Sequence, residues 1–182
     1  MNRAETLSSF LDHHPWVKTV ASYWLNLRII TVYPDSLYYL QAYPNLLFLD
    51  YMYKTNKYCM PLLDMTGIDT TQQSFCIAFA FLSGKSEEDY TWALKWLKLL
   101  YEQYNTTLPS VILTDCCLAA INAATTLFLS VTTLICIWYA NKAVLAWCQP
   151  AFPEADKWKE FYGFWHSIIN SPTEEAYTER LL

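Results

Sequence analysis

Two aspartates close apolar runs in this chain: Asp50 ends the core of "LLFLDYM" and Asp115 ends "SVILTD". An apolar run that stops on a carboxylate carries a charge to the edge of a core. Two such carboxylates held together repel, and a divalent cation relieves the repulsion. Mg²⁺ suits the task, because it takes one or two carboxylates and completes its octahedron with water and phosphate oxygens. Two ions of that kind promote in-line displacement at phosphorus, one at the attacking oxygen and one at the leaving oxygen. Aspartate is also a common turn former at strand ends, so spacing alone leaves both readings open. Lys54 and Lys57 follow Asp50, where they could meet a phosphate or simply lie in a solvated turn. Cys116 and Cys117 follow Asp115, and adjacent cysteines at a helix start read as packing residues.

The two carboxylates meet only if the elements carrying them are neighbours. Residues 27–33 are β-rich, while Pro34-Asp35-Ser36 and Tyr43-Pro44-Asn45 read as turns. "LLFLDYM", "KYCMPLLDMTG" and "SFCIAFAFL" read as consecutive strands, with Pro61 at an edge or bulge and the last strand covered on both faces. Their short connections favour antiparallel pairing. Ser86 with Asp89 forms a capping-box pattern, and Tyr90, Ala93, Leu94, Leu97, Tyr101 and Tyr104 then recur at helical spacing. After Pro109 comes the short strand of Asp115, then helix, strand and helix through Trp147, and a break at Pro150 and Pro153. Two more helices follow, the second capped near residues 171–173, and residues 5–28 read as helical pieces interrupted by Pro15.

The resulting order is β-β-β-α-β-α-β-α, with the later strands parallel, which is the order of an α/β, RNase H-like mixed sheet with flanking helices. Asp50 then ends the first central strand, and Asp115 ends the strand after the long helix. Residues 1–44 read as a lead-in, 45–150 as the core and 151–182 as the start of a helical insertion.

Composition narrows the classes. Apolar residues make up 54% and charged residues 16% of the 182-residue chain, which predicts a folded domain. The net charge of −5 speaks against a broad phosphate-gripping surface, which is usually basic. The six cysteines form no CxxC pair, and His13, His14 and His166 are not at finger spacing from them, so free thiols in a reducing compartment are expected. The start "MNRAETLSSFLDHHP" lacks the apolar core of a secretory leader. Residues 116–141 carry no charge and are long enough to span a bilayer. Yet Asn122, Thr125, Thr126, Ser130, Thr132 and Thr133 interrupt them, and the run is Ala-rich to Leu127 and β-branched from Val131 to Ile137. A helix followed by a buried strand is the expectation, a membrane span the alternative. The eight tryptophans, among them Trp92, Trp96, Trp138, Trp147, Trp158 and Trp165, sit at spacings that suggest packing rather than base stacking.

"LLFLDYMYKTNKYCMPLLDMTG", "FAFLSGKSEEDYTWALKWL", "PSVILTDCCLAAINAA" and "LICIWYANKAVL" together resemble the catalytic domain of Mutator-like element (MULE) transposases, in particular the fungal, FAR1-related branch, over about residues 27–181. The resemblance implies DNA strand cleavage and joining by a DDE triad on an RNase H-like fold. It implies Mg²⁺ or Mn²⁺ as cofactor, transposon-end DNA as partner, association with itself or with full-length transposase, a nuclear location and no membrane. Asp50 matches the first acidic position, Asp115 the second, and Cys136 the cysteine of the family's Cys-x-x-His element. Three departures follow: Tyr139 stands where that element has histidine, Met52 where a small threonine is usual, and no "TSxxE"-like segment supplies the third acid. Glu174, Glu175 and Glu179 fit a solvated helix before the family's insertion. No zinc module for DNA binding is recognisable. The resemblance thus implies a core fragment with an incomplete triad; the alternative is a decayed or domesticated copy acting as a non-catalytic binding or regulatory protein.

Overall fold

The computed structural model describes residues 28–32, 34–52 and 59–181. Its compact units divide between Cys136 and Ile137. The first holds a six-stranded mixed sheet with helices, an α/β architecture as expected.

The strands are β1 (Ile29–Val32), β2 (Leu46–Met52), β3 (Leu62–Ile68), β4 (Ser74–Phe81), β5 (Val111–Thr114) and β6 (Thr132–Ile135), in the spatial order β1-β4-β3-β2-β5-β6. β2, β3 and β4 pair antiparallel as a meander, and β1 adds antiparallel to β4. β2, β5 and β6 run parallel, with helices in the connections that parallel pairing requires.

Period-two burial makes one face of this sheet the core. Leu47, Leu49 and Tyr51 of β2 lie beside Leu63 and Met65 of β3 and Ile112 of β5, all buried. Two helices cover that face: α2 (Glu87–Gln103), through Tyr90, Ala93, Leu94, Leu97 and Tyr101, and α3 (Leu118–Leu127), through Ala120, Ala123 and Ala124. Small alanines on α3 let it come close to α2. Lys98 Nζ donates to the Leu127 carbonyl at 3.1 Å, satisfying a group at the end of α3. Ser86 and Asp89 form the expected capping box at the start of α2.

The residues expected to turn at Pro34 instead begin a helix, α1 (Pro34–Ala42). Proline suits the first helical position, where its missing N–H is no loss. Leu40 then enters the core, and the Tyr39 ring lies 5.4 Å from that of Phe75 on β4. Phe75 in turn requires Gly67 opposite it on β3, because a Cβ there would sit 2.4 Å from the ring. β4 is not covered on both faces: Ile77, Ala78 and Ala80 are buried, but Phe79 and Phe81 are half-buried.

The uncharged run from 116 to 141 contains α3, β6 and the start of the next helix, and no helix among the described residues is long and apolar enough to cross a membrane. β6 is not a buried strand either; as the sheet's edge it leaves Leu134 47% and Ile135 50% exposed.

The second unit comprises α4 (Ile137–Cys148), a 3₁₀ turn at Gln149–Ala151, α5 (Ala155–Ile169) and α6 (Glu174–Leu181). Phe152, Trp158, Phe161 and Tyr162 form an aromatic cluster, with Phe152 and Phe161 stacked at 4.8 Å. Trp165 Nε1 donates to Asn141 Oδ1 at 2.7 Å, and Arg180 donates to Ser171 Oγ at 2.9 Å and to the Ser167 carbonyl. Trp92 and Trp96 pack against the core of the first unit as expected, but Trp138 is 57% and Trp147 84% exposed. The expectation of helical pieces over residues 5–28 falls outside the described residues apart from Arg28.

Candidate functional site

β2 and β5 are parallel neighbours whose last registered pair is Leu49 with Thr114. The next residues are Asp50, which lies within β2 two residues short of its end at Met52 rather than ending the strand as expected, and Asp115, which directly follows β5, so the two residues sit at neighbouring positions of adjacent chain segments. Ligands of open α/β sheets bind near the carboxyl ends of the strands. Alternation places Asp50 on the face opposite Leu49 and Tyr51, away from the helix-covered core.

The β2–β3 hairpin adds a residue that sequence reasoning missed. Asp64 lies directly across from Asp50 in the antiparallel register. Its strand neighbours Leu63 and Met65 are buried on the core side, so Asp64 shares the face of Asp50. The signal was an acid in the middle of an otherwise apolar strand. Burial raises the Asp64 carboxyl above the ordinary carboxylate range; a hydrogen bond from Cys76 Sγ at 3.6 Å works against the rise, and the Asp50 charge adds to it. The same pairing, after burial as its largest cause, pushes the Cys76 thiol up to about 12, so Cys76 stays protonated and unreactive.

Asp115 is partly engaged by its own turn. Oδ1 accepts the Cys117 N–H at 3.2 Å and the Thr114 hydroxyl at 3.4 Å, an Asx-type arrangement at the entry to α3. A carboxylate accepts through two oxygens, so this turn and a ligand are compatible. Beneath the strand ends, the Tyr90 hydroxyl is buried without a partner at hydrogen-bond geometry, and its ring lies 6.0 Å from that of Tyr51. Burial raises that phenol far above its ordinary value, and the Cys117 thiol and the Asp115 and Tyr51 charges raise it further. Cys117 packs on the core and Cys116 is exposed.

Asp64 and Asp50 thus pair across β3 and β2 on one face of the sheet, while Asp115 follows the last residue of β5 with its carboxylate engaged by the Cys117 N–H and the Thr114 hydroxyl. This agrees with a second observation: no group of three or more His, Cys, Asp or Glu side chains among the described residues is arranged to hold a metal ion. A cation here would lie between Asp50 and one neighbour. The donors are hard carboxylate oxygens, which suit Mg²⁺ or Mn²⁺ rather than a thiolate-seeking ion.

The other anticipated residues are placed as follows. Cys136 directly follows β6 and donates its N–H to the Thr114 carbonyl at 2.9 Å, one register step from Asp115. Tyr139 lies on α4, its ring edge-on to Trp138 at 4.7 Å. Met52 is the exposed end of β2. Glu174, Glu175 and Glu179 lie on α6, whose start is capped by Thr173 Oγ1 accepting the Ala176 N–H at 3.2 Å. Lys54 and Lys57 lie outside the described residues.

Residues 46–143, from the start of β2 into α4, match the MULE transposase domain family. The chain belongs to that family. The matched span contains Asp50, Asp64, Asp115 and Cys136, so these residues lie within the MULE transposase domain. The chain is also similar to a PKS-NRPS hybrid synthetase, cheA, of Chaetomium globosum, at 26% identity over 103 residues, or 57% of this chain and 2% of that protein. It thus spans a very small part of the length of that curated relative.

Proposed function

We propose that this MULE transposase domain is the catalytic-core segment of a DDE transposase on an RNase H-like sheet, with Asp50 and Asp115 as ligands for Mg²⁺ or Mn²⁺. The observation that supports the reading is the parallel register of β2 with β5, in which Asp50 and Asp115 are the residues after the last registered pair, Leu49 with Thr114. The cation, when bound, polarises a DNA phosphodiester and lowers the pKa of an attacking water or hydroxyl. The chain's own part is to present one carboxylate from β2 and one from the turn after β5, the latter fixed by the Cys117 N–H. Sheet order β4-β3-β2-β5-β6, with the first three antiparallel and the last three parallel, supports the RNase H-like assignment. The working partner is transposon-end DNA, in a nuclear setting, with a second copy or full-length transposase completing the assembly.

Tyr139 in place of the family's histidine favours a second reading, a domesticated or decayed copy that binds without cutting. The two readings separate in a Mn²⁺ titration of the chain followed by paramagnetic broadening of its NMR spectrum. Saturable broadening around the ends of β2 and β5, lost in both Asp50→Asn and Asp115→Asn, supports the metal site. Broadening that ignores both substitutions refutes it and leaves the binding role.

A further inference from the structure

Tyr90 and Tyr101 of α2 both bury their hydroxyls without a hydrogen-bond partner among the described residues. An unpaired buried hydroxyl is costly, and phenylalanine would fill the same space without it. The surroundings of the two differ. Burial alone raises the Tyr101 phenol. The Tyr90 phenol is raised by burial and then by the Cys117 thiol as a hydrogen-bonding neighbour, with the Asp115 and Tyr51 charges beyond it. The thiol thus lies beside the Tyr90 hydroxyl, outside the geometry of a full hydrogen bond.

Cys117 connects this phenol to Asp115. It is the N-cap of α3 and has no side-chain cap bond; its side chain packs against the core, and its N–H donates to Asp115 Oδ1 at 3.2 Å. The Thr114 hydroxyl reaches the same oxygen at a looser 3.4 Å. Tyr90 is well placed to act as a fixed reference for this turn. It directly follows Asp89, whose carboxylate accepts the Ser83 hydroxyl at 2.6 Å, the Ser86 hydroxyl at 2.7 Å and Arg28 Nε at 2.9 Å. Its ring lies 6.0 Å from that of Tyr51, which directly follows Asp50. One side chain of α2 therefore stands against the residue after Asp50 and the residue whose N–H holds Asp115.

We propose that Tyr90 is a positioning residue for Asp115: its hydroxyl seats the Cys117 side chain, so that the Cys117 N–H holds the carboxylate in one orientation. The bearing of this on metal binding rests on the reading of Asp115 as a metal ligand. Packing on Tyr51 does not account for the hydroxyl, because phenylalanine presents the same ring. Groups behind a ligand that fix its direction tune affinity without touching the ion.

The test is ¹H–¹⁵N NMR of the metal-free chain, then Mn²⁺ titration, for wild type, Tyr90→Phe, Tyr101→Phe, Cys117→Ala, Asp115→Asn and the double variant Tyr90→Phe/Cys117→Ala. An N–H bonded to a carboxylate resonates downfield, so Asp115→Asn calibrates the loss by moving the Cys117 amide proton upfield. The expected result is an upfield shift of that proton in Tyr90→Phe, and an Mn²⁺ Kd raised about tenfold. Tyr101→Phe should do neither. In the Cys117→Ala background, Tyr90→Phe should add nothing to the Kd, because the group through which it acts is gone. An unmoved Cys117 amide with a higher Tm for Tyr90→Phe would mean that the hydroxyl is merely unpaired, like that of Tyr101, and would overturn the proposal. So would equal shifts in Tyr90→Phe and Tyr101→Phe, which report general loosening of the core. If wild type shows no saturable Mn²⁺ broadening, the metal reading falls, and the Cys117 amide still decides the role of Tyr90. If broadening is lost in Asp50→Asn but amide and Kd ignore Tyr90→Phe, this inference falls alone.

Discussion

Asp64→Asn should stabilise the metal-free chain at neutral pH, although it alters a half-buried side chain at the centre of the sheet. Asp50 and Asp64 face each other directly across β2 and β3, and like charges so placed destabilise a sheet by about 0.2–1 kcal/mol. Asparagine has nearly the same size and keeps an oxygen to accept the Cys76 thiol, so the substitution removes the charge with little loss of packing. For a chain of this length about 1 kcal/mol moves Tm by roughly 2–4 °C, so the expected gain is up to that amount at pH 7. The sign of the pH dependence follows from the raised carboxyl of Asp64. A native state that holds its proton to higher pH than the unfolded chain loses stability as pH rises from about 3.9 through the native value. The full penalty is present above that window and absent below it. The advantage of Asp64→Asn should therefore shrink as pH falls toward 4. Mn²⁺ should narrow it at pH 7, because a cation relieves in wild type the repulsion that the variant lacks. Thermal unfolding by circular dichroism, with and without Mn²⁺ and at several pH values, measures all three effects. A lower Tm for Asp64→Asn at pH 7, or a gain independent of pH, would refute the repulsion between Asp50 and Asp64.

Gly67→Ala should cost about 1–3 kcal/mol, because its Cβ would meet the Phe75 ring at 2.4 Å and that ring is backed by Tyr39. Most of the loss should return in Gly67→Ala/Phe75→Leu, and additive losses in a double-mutant cycle would show that the ring is not the obstacle. Asp89→Asn should cost about 3 kcal/mol in denaturant unfolding, since it strips the charge from a carboxylate that pairs with Arg28 and accepts from Ser83 and Ser86. Burial alone would raise the Asp89 carboxyl, but those hydrogen bonds and the Arg28 charge outweigh it and hold it below the ordinary range. Its contribution is thus complete above about pH 4 and is lost as pH falls through the native value, so the gap between Asp89→Asn and wild type should close in acid.

What the sequence disclosed and what it concealed divide along the range of the interactions involved. The capping box at Ser86 and Asp89 is local, three residues apart, and was legible. So was the helix-then-strand split after Asp115, where alanines give way to β-branched residues. Asp50 and Asp115 stood out because each ends an apolar run, and the adjacency of β2 and β5 followed from the order of elements. Pro34 misled because the same residue opens turns and helices, and the choice was made by Leu40 reaching the core. Trp138 and Trp147 misled because an aromatic at helical spacing carries no guarantee of burial.

Asp64 escaped for a deeper reason. Which residue of β3 faces Asp50 depends on hairpin register, and a slip of one position would turn every side chain of β3 to the other face. That register is fixed jointly by Leu63 and Met65 meeting Tyr51 and Leu49 on the core side. The apolar residues that pack the core therefore also decide which acids meet on the opposite face. Any substitution that shifts β3 by one residue would take Asp64 away from Asp50 and expose Leu63 and Met65 together, so the Asp50–Asp64 pair cannot be lost by slippage without the core failing as well.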